Sequence, residues 1–198
     1  MHPNPQFRSD DRQLFEMLID QIGFGMVFAP TPDGPRVAHT PLLSTGDGAV
    51  QFHLARSNAL SPHLEGTTAL VTVNGPDAYV SPRWYADRDT VPTWDYLALE
   101  MEGRVRTLET EGLEAFLHAV IEKYEGRIEG EAWSADEASE PTWTRLFKGI
   151  VGFEIEVQSW RPTIKLSQKK SATERETIAA AQEARGNRAL ATLMRGLA

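Results

Sequence analysis

Two short segments of this 198-residue chain gather donors suited to an anion. Arg56, Ser57 and Asn58 directly follow the strand-like "AVQFHLA", so their donors project from a rigid base. Lys165, Ser167, Gln168 and Lys169 place two charges, a hydroxyl and an amide close together in "KLSQKK". A phosphate monoester carries nearly two negative charges and several strong acceptor oxygens, and mixed donors of this kind hold it. Arginine grips two such oxygens at once with its planar fork. The same residues are equally consistent with Arg56 capping a local carboxylate and the lysines being solvated. A third segment, "VPTWDY", sets Trp94 and Tyr96 on one face of a strand, where a planar ring system can stack. Strands also bury Trp and Tyr in cores, so that pair has two readings. "SPRWY" at 81–85 adds an aromatic pair beside a base and is placed against the same cavity. In the fourth segment, "AHTPLL", His39 faces His53 only if their strands pair. A strand histidine bonded to backbone or ligand fits better than a two-histidine metal site, which would lack its usual helical spacing. No metal is expected. His63 and His118 read as ordinary surface or helix-face residues.

Other chemistries are excluded by what is missing. The chain has no cysteine, so disulfides, thiolate metal sites and cysteine nucleophiles are out; this fits a reducing compartment such as the cytoplasm. "GFGMVF" starts like a dinucleotide fingerprint, but Phe28 stands where the third glycine belongs, and the segment precedes its strand. There is no Gly-x-x-x-x-Gly-Lys loop and no Gly-x-Ser-x-Gly elbow. The N-terminus lacks a basic start followed by an apolar run, and no apolar stretch approaches a membrane span, so neither signal peptide nor membrane is expected. The formal charge of −8 argues against a general nucleic-acid coating surface. The charge is uneven: residues 161–198 hold 8 Lys+Arg and 3 Asp+Glu, a net of +5, which leaves −13 on residues 1–160. A basic tail on an acidic body suggests either a local anion site or a helix packed on its own acidic body.

The elements that must position these residues follow from periodicity. Leu14, Phe15, Leu18, Ile19 and Ile22 predict a helix, with Ser9 or Asp10 to cap it and Gly23 to stop it. Strands are predicted over "FGMVFA", "RVAHTPLL" (broken by Pro41), "AVQFHLA" after a Gly46–Gly48 turn, and "TALVTVNG", ended by Asn74-Gly75-Pro76. "AYVSPRWY" reads as an edge strand because Pro82 cannot donate to a ladder. The longest strand runs from about Thr93 to Leu108, and "GIVGFEIEVQSW" is the last. Helices are predicted at 111–126, around Trp143–Phe147, at 172–184 and at 188–197, with "RPTIKLSQKKS" irregular. Strands at short spacing with helices near the ends give a mainly β (α+β) fold, an antiparallel barrel with peripheral helices. Alternating βα units are absent, so a doubly wound nucleotide fold is not expected.

Taken together, "HTPLL", "HLARSN", "GPDAYVSPRWY", "VPTWDYLALEMEGRVR", "IVGFEIEV" and "KLSQKK" resemble, in order and spacing, the PaiB-type family of FMN-binding negative transcriptional regulators. The likeness spans nearly the whole chain. Lys169-Lys170 stand where the family has Asn-Arg, and Asp95 where it has Asn. The resemblance implies an FMN-binding split barrel over 1–160, with a basic helical extension over 161–198 packed on the barrel or a partner. It implies a homodimer with flavin in the cleft between protomers. By the same resemblance Arg56, with Ser57 or Asn58, would hold the phosphate. Lys165, Ser167, Gln168 and Lys169 would close the cleft. His39, Thr40, Pro41 and Leu42 would supply backbone and apolar contact to the ring, and Trp94 and Tyr96 would sit near the isoalloxazine or the partner. His53, His39 and Tyr96 are the candidates for proton transfer, although no catalytic residue is singled out. A flavin oxidoreductase using NAD(P)H is the alternative, with haem in place of flavin a lesser one. Direct DNA binding through the two short helices around "ARGNR" ranks last, because no base-reading pattern is present and the acidic body repels DNA.

Overall fold

The computed structural model describes residues 2–196. Five α-helices, α1 Arg12–Ile22, α2 Thr110–Glu125, α3 Glu140–Phe147, α4 Ala172–Ala184 and α5 Arg188–Arg195, accompany seven strands. These are β1 Phe24–Thr31, β2 Gly34–Pro41, β3 Leu43–Ser44, β4 Ala49–Ala55, β5 Thr68–Val80, β6 Thr93–Thr107 and β7 Ile150–Lys165. They form one antiparallel sheet in the order β2-β1-β5-β6-β7-β4-β3. None of the described helices is long and apolar enough to cross a membrane.

Three predictions are corrected. Asn74-Gly75-Pro76 does not end a strand, because β5 runs through it to Val80. Buried positions 69, 71 and 73 give way to 78 and 80, so the alternation slips by one residue there. A bulge of this kind absorbs a proline that cannot donate to the ladder. Pro82, assigned to an edge strand, instead opens a 3-10 turn at Pro82–Trp84, capped by the Ser81 hydroxyl. "RPTIK" is not irregular but is the end of β7, and Pro162 and Thr163 are buried within it. The predicted break at Pro41 is where β2 stops and β3 follows. The last predicted helix reached residue 197, which lies outside the described residues.

The chain forms two compact units. The larger unit comprises Arg12–Val73 and Glu100–Trp160. Its core is built from the alternating faces of β4 and β7, where Phe52 and Phe153 stack at 5.5 Å. The apolar stripe of α1 adds Phe15, Leu18 and Ile19, and that of α2 adds Leu113 and Phe116. Phe15 stacks on Trp160, and the Arg12 guanidinium sits 3.5 Å from the Trp160 ring. β1 pairs with β2 from Phe24–Pro41 to Thr31–Gly34, and β4 pairs with β7 along its whole length. The Thr40 hydroxyl donates to the His53 carbonyl at 2.6 Å, which brings β2 against β4 from opposite sides of the strand order. Glu154 on β7, only 8% exposed, accepts from Arg106 on β6 at 2.6 Å and from Gln51 on β4 at 2.7 Å. This one carboxylate thus ties three neighbouring strands. Two glycines allow close approach. A Cβ at Gly25 would meet Leu42 Cδ1 at 2.4 Å and the Thr72 carbonyl oxygen at 2.6 Å, and one at Gly103 would lie 1.8 Å from the Glu156 oxygen.

The smaller unit comprises residues up to Asp11, Asn74–Leu99, and the chain from Arg161 onward. Here α4 and α5 pack as a hairpin through the buried Ile178, Ala179, Leu190, Ala191 and Met194. Ser171 caps α4 reciprocally with Glu174. Arg195 ties the hairpin by donating to Glu176 at 2.9 Å and to Glu183 at 2.9 Å.

Candidate functional site

The predicted residues of the larger unit gather on β2, β4 and the turn after β4. Thr40 is buried, and its hydroxyl is engaged with the His53 carbonyl. Leu42 is fully buried, its backbone N–H donating to the Gly23 carbonyl, so its side chain belongs to the core. The His39 ring lies on the other face of β2, stacked with Phe24 at 6.5 Å. The His53 ring tilts against Phe116 at 5.7 Å, and its Nδ1 is buried without a hydrogen bond. Desolvation lowers the pKa of this imidazole, which favours the neutral ring. The two histidines therefore take opposite surroundings. Among the described residues no group of three or more His, Asp or Glu is arranged to hold a metal.

Arg56 is exposed, but its orientation is fixed. Nε donates to the Lys148 carbonyl at 3.1 Å and Nη2 to the Ile150 carbonyl at 2.9 Å, while its backbone N–H bonds the Gly149 carbonyl. Among the described residues it caps no carboxylate, and Nη1 makes no hydrogen bond, so the exposed, delocalised cation keeps donors to spare on a preset fork. The Asn58 side chain accepts from the Leu60 N–H at 2.9 Å, which shapes the turn and leaves its amide nitrogen without a bond among the described residues. Exposed Ser57 stands between them.

In the smaller unit two predicted segments, far apart in sequence, meet. Lys165 donates from Nζ to the Thr93 hydroxyl and to the Trp94 carbonyl. Ser167 donates to Asp95 Oδ2 at 2.5 Å. Ser167 holds φ at +56°, the left-handed region that a non-glycine residue enters at a cost and that clusters at functional positions. Gln168 locks this turn: its Oε1 accepts from the Leu166 N–H at 2.8 Å, and its Nε2 donates to the Ile164 carbonyl at 2.6 Å. Lys169 lies over Phe7 at 5.8 Å, and Lys170 over Tyr85 at 3.8 Å. Trp94 is 54% exposed and meets Tyr79 edge-on at 6.3 Å, with half-buried Tyr96 on the same face of β6.

Asp95 was noted in the sequence only as a departure from a family pattern. It has no exposed surface, and its Oδ1 has no partner. The available signal was its phase, since Asp95 alternates with Leu97, Leu99 and Met101 on the buried face of β6. Burial raises its pKa, although the Ser167 hydrogen bond and the Lys165 charge pull the other way. The folded chain thus holds this proton at pH values where the unfolded chain has released it. The stability this contributes is present below the ordinary carboxylate range and is lost as pH climbs toward the raised value. Asp95→Asn should therefore gain on the parent by about 1 kcal/mol between about pH 4 and about pH 7, read by urea unfolding at both. A gap that does not change with pH would show that another group titrates.

This fold belongs to a class. In solved structures the fold recurs in the FAD and heme binding protein of Mycobacterium smegmatis (TM-score 0.62, 14% identity, 85% of this chain and 78% of that one). It recurs also in the flavocytochrome Anf3 of Azotobacter vinelandii (TM-score 0.60, 15% identity, 83% of this chain and 72% of that one). The architecture is the flavin-type split barrel. A family model described as "Putative FMN-binding domain" matches residues 1–159, and the chain belongs to that family. Among its relatives is the Bacillus subtilis (strain 168) "Protease synthase and sporulation protein PAI 2", 34% identical over 161 residues, covering 79% of this chain and 76% of that protein. FMN is the cofactor this membership gives. The chemistry of the larger unit's donors suits its phosphate: a phosphate needs a cation with spare donors, and the exposed Arg56 guanidinium keeps Nη1 unbonded among the described residues.

Proposed function

We propose that this protein is a homodimeric FMN-binding regulator, its flavin held by the residues the resemblance singled out. Arg56, with Ser57 and Asn58, binds the phosphate; Lys165, Ser167, Gln168 and Lys169 close on the cofactor; His39, Thr40, Pro41, Leu42 and His53 contribute backbone and imidazole contacts; Trp94 and Tyr96 lie against the ring or the partner protomer. The observation that carries this reading is the meeting of "KLSQKK" with "VPTWDY" through Lys165–Trp94 and Ser167–Asp95. Two stretches of the recognised pattern, over 70 residues apart, converge with a strained residue at their junction. The Bacillus relative is named for protease synthesis and sporulation, which suits a regulatory role, and FMN, when bound, would supply redox chemistry. The exposed Trp94 gives a partner protomer aromatic surface to cover.

The test is an absorption spectrum of the purified protein before and after adding FMN and removing free ligand, with its mass measured in solution. One retained flavin per protomer in a dimer is the expected result; no retention and no shift on titration would end the reading. The buried, unpartnered Nδ1 of His53 favours one second reading, an oxidoreductase in which this imidazole moves a proton. Reduction of bound FMN by NADH or NADPH at turnover rates would select it, whereas sluggish reduction by both would leave the regulator.

A further inference from the structure

The smaller unit contains a second basic site: "SPRWY", expected from the sequence to line the same cavity as Trp94 and Tyr96, instead lines a cavity with α4 whose arginines are not among the residues assigned to the flavin. A cavity of about 580 Å³ lies between the Pro82–Trp84 turn and α4, a volume typical of small-molecule pockets. Arg83 enters it from the turn and Arg185 from the end of α4. Neither guanidinium has a carboxylate partner among the described residues, whereas Arg195 on the same helical hairpin is clamped by Glu176 and Glu183. Two unpaired cations lining one cavity repel each other, and an anion between them relieves both.

The cavity walls are fixed in place. Gln182, with no exposed surface, donates to the Tyr79 carbonyl at 2.8 Å and accepts from Asn187 at 2.8 Å, which pins the C-terminal end of α4 to the end of β5. At the other end of α4, the Ala86 N–H donates to Glu174 at 3.3 Å. Between these ties α4 shows the cavity only Ala181 and Ala184, whose small side chains leave it open. Half-buried Trp84 and exposed Tyr79 supply aromatic surface. An occupant must therefore match two guanidiniums with negative charge and an aromatic wall with a flat face.

We propose that this cavity binds a small organic anion bearing a planar ring, its charge held by Arg83 and Arg185 and its ring against Trp84 and Tyr79. This goes beyond the flavin reading and does not depend on it. Titration calorimetry of the full chain, with and without saturating FMN, tests it with phenyl phosphate, benzoate and inorganic phosphate as probes. Phenyl phosphate or benzoate should bind one per chain, with equal affinity in the presence and absence of FMN, and inorganic phosphate about 10-fold more weakly for want of a ring. The better of the two organic probes identifies the anionic group preferred. Arg83→Gln and Arg185→Gln, both at exposed side chains, should each weaken binding about 10-fold. Ala184→Leu, which narrows the cavity without touching charge, should weaken binding as well. Failure of both organic probes to saturate, or undiminished binding in the double Arg83→Gln/Arg185→Gln variant, overturns the proposal. So does competition between phenyl phosphate and FMN, which would make the cavity part of the flavin site.

Discussion

Arg56→Ala is expected to weaken FMN binding about 30-fold or more, because truncating one partner of a charge-assisted contact costs about 2–5 kcal/mol. Arg56 is preorganised: two of its donors are engaged with the Lys148 and Ile150 carbonyls, so the remaining fork is aimed before any ligand arrives. Arg56→Lys separates aim from charge. Lysine keeps the cation but cannot reach both carbonyls while presenting a fork, so its affinity should fall between those of parent and alanine. A fluorescence titration of FMN against the three proteins reads the order directly. Equal affinities would move the phosphate away from Arg56, and Lys165→Ala would then be the next variant to titrate.

Gly103→Ala should be among the most destabilising single substitutions available here, lowering stability by about 3 kcal/mol or more. The atoms a Cβ would strike are all backbone: the Glu156 oxygen at 1.8 Å, its carbonyl carbon at 2.7 Å and Val157 Cα at 3.0 Å. A flexible side chain could swing away, but these atoms belong to β7, which also carries Glu154 and its bonds to Arg106 and Gln51. Thermal unfolding of Gly103→Ala beside Gly112→Ala gives the contrast. Gly112 lies in α2, where an added Cβ meets only Leu108 side-chain atoms at 3.6 Å, and alanine favours a helix over glycine. Gly112→Ala should match or exceed the parent; if the two variants melt alike, the close approach at Gly103 is not rigid.

The strands and helices were largely legible, because their apolar positions repeat with the periods that strands and helices impose. Pro76 sits inside β5, where the rule that proline ends a strand fails if the ladder does not need that N–H, and "RPTIK" continues β7 although its sequence lacks a clean alternation. The individual site segments were visible as clusters of unusual residue types. Their meeting was not, since nothing in "KLSQKK" announces that Ser167 will bond a carboxylate on β6. The burial of Asp95 follows not from its residue type or its aromatic neighbours but from its phase with Leu97 and Leu99. Arg83 and Arg185 were hidden for another reason: their shared cavity exists only once α4 is docked on β5 through Gln182, a residue with no sequence signature.

The clasp of Arg195 on Glu176 and Glu183 changes how the tail would meet a polyanion. The +5 counted along residues 161–198 is not a free field. Arg195 is neutralised by its carboxylates, Lys170 is shared between Glu174 and Tyr85, and Lys165 is turned inward onto Thr93 and Trp94. At most five of the tail's eight cations then remain to displace the ions condensed on a duplex. Any affinity of the tail for DNA should therefore fall with a log–log salt slope no steeper than about −4 or −5, against the about −10 of a strong operator binder.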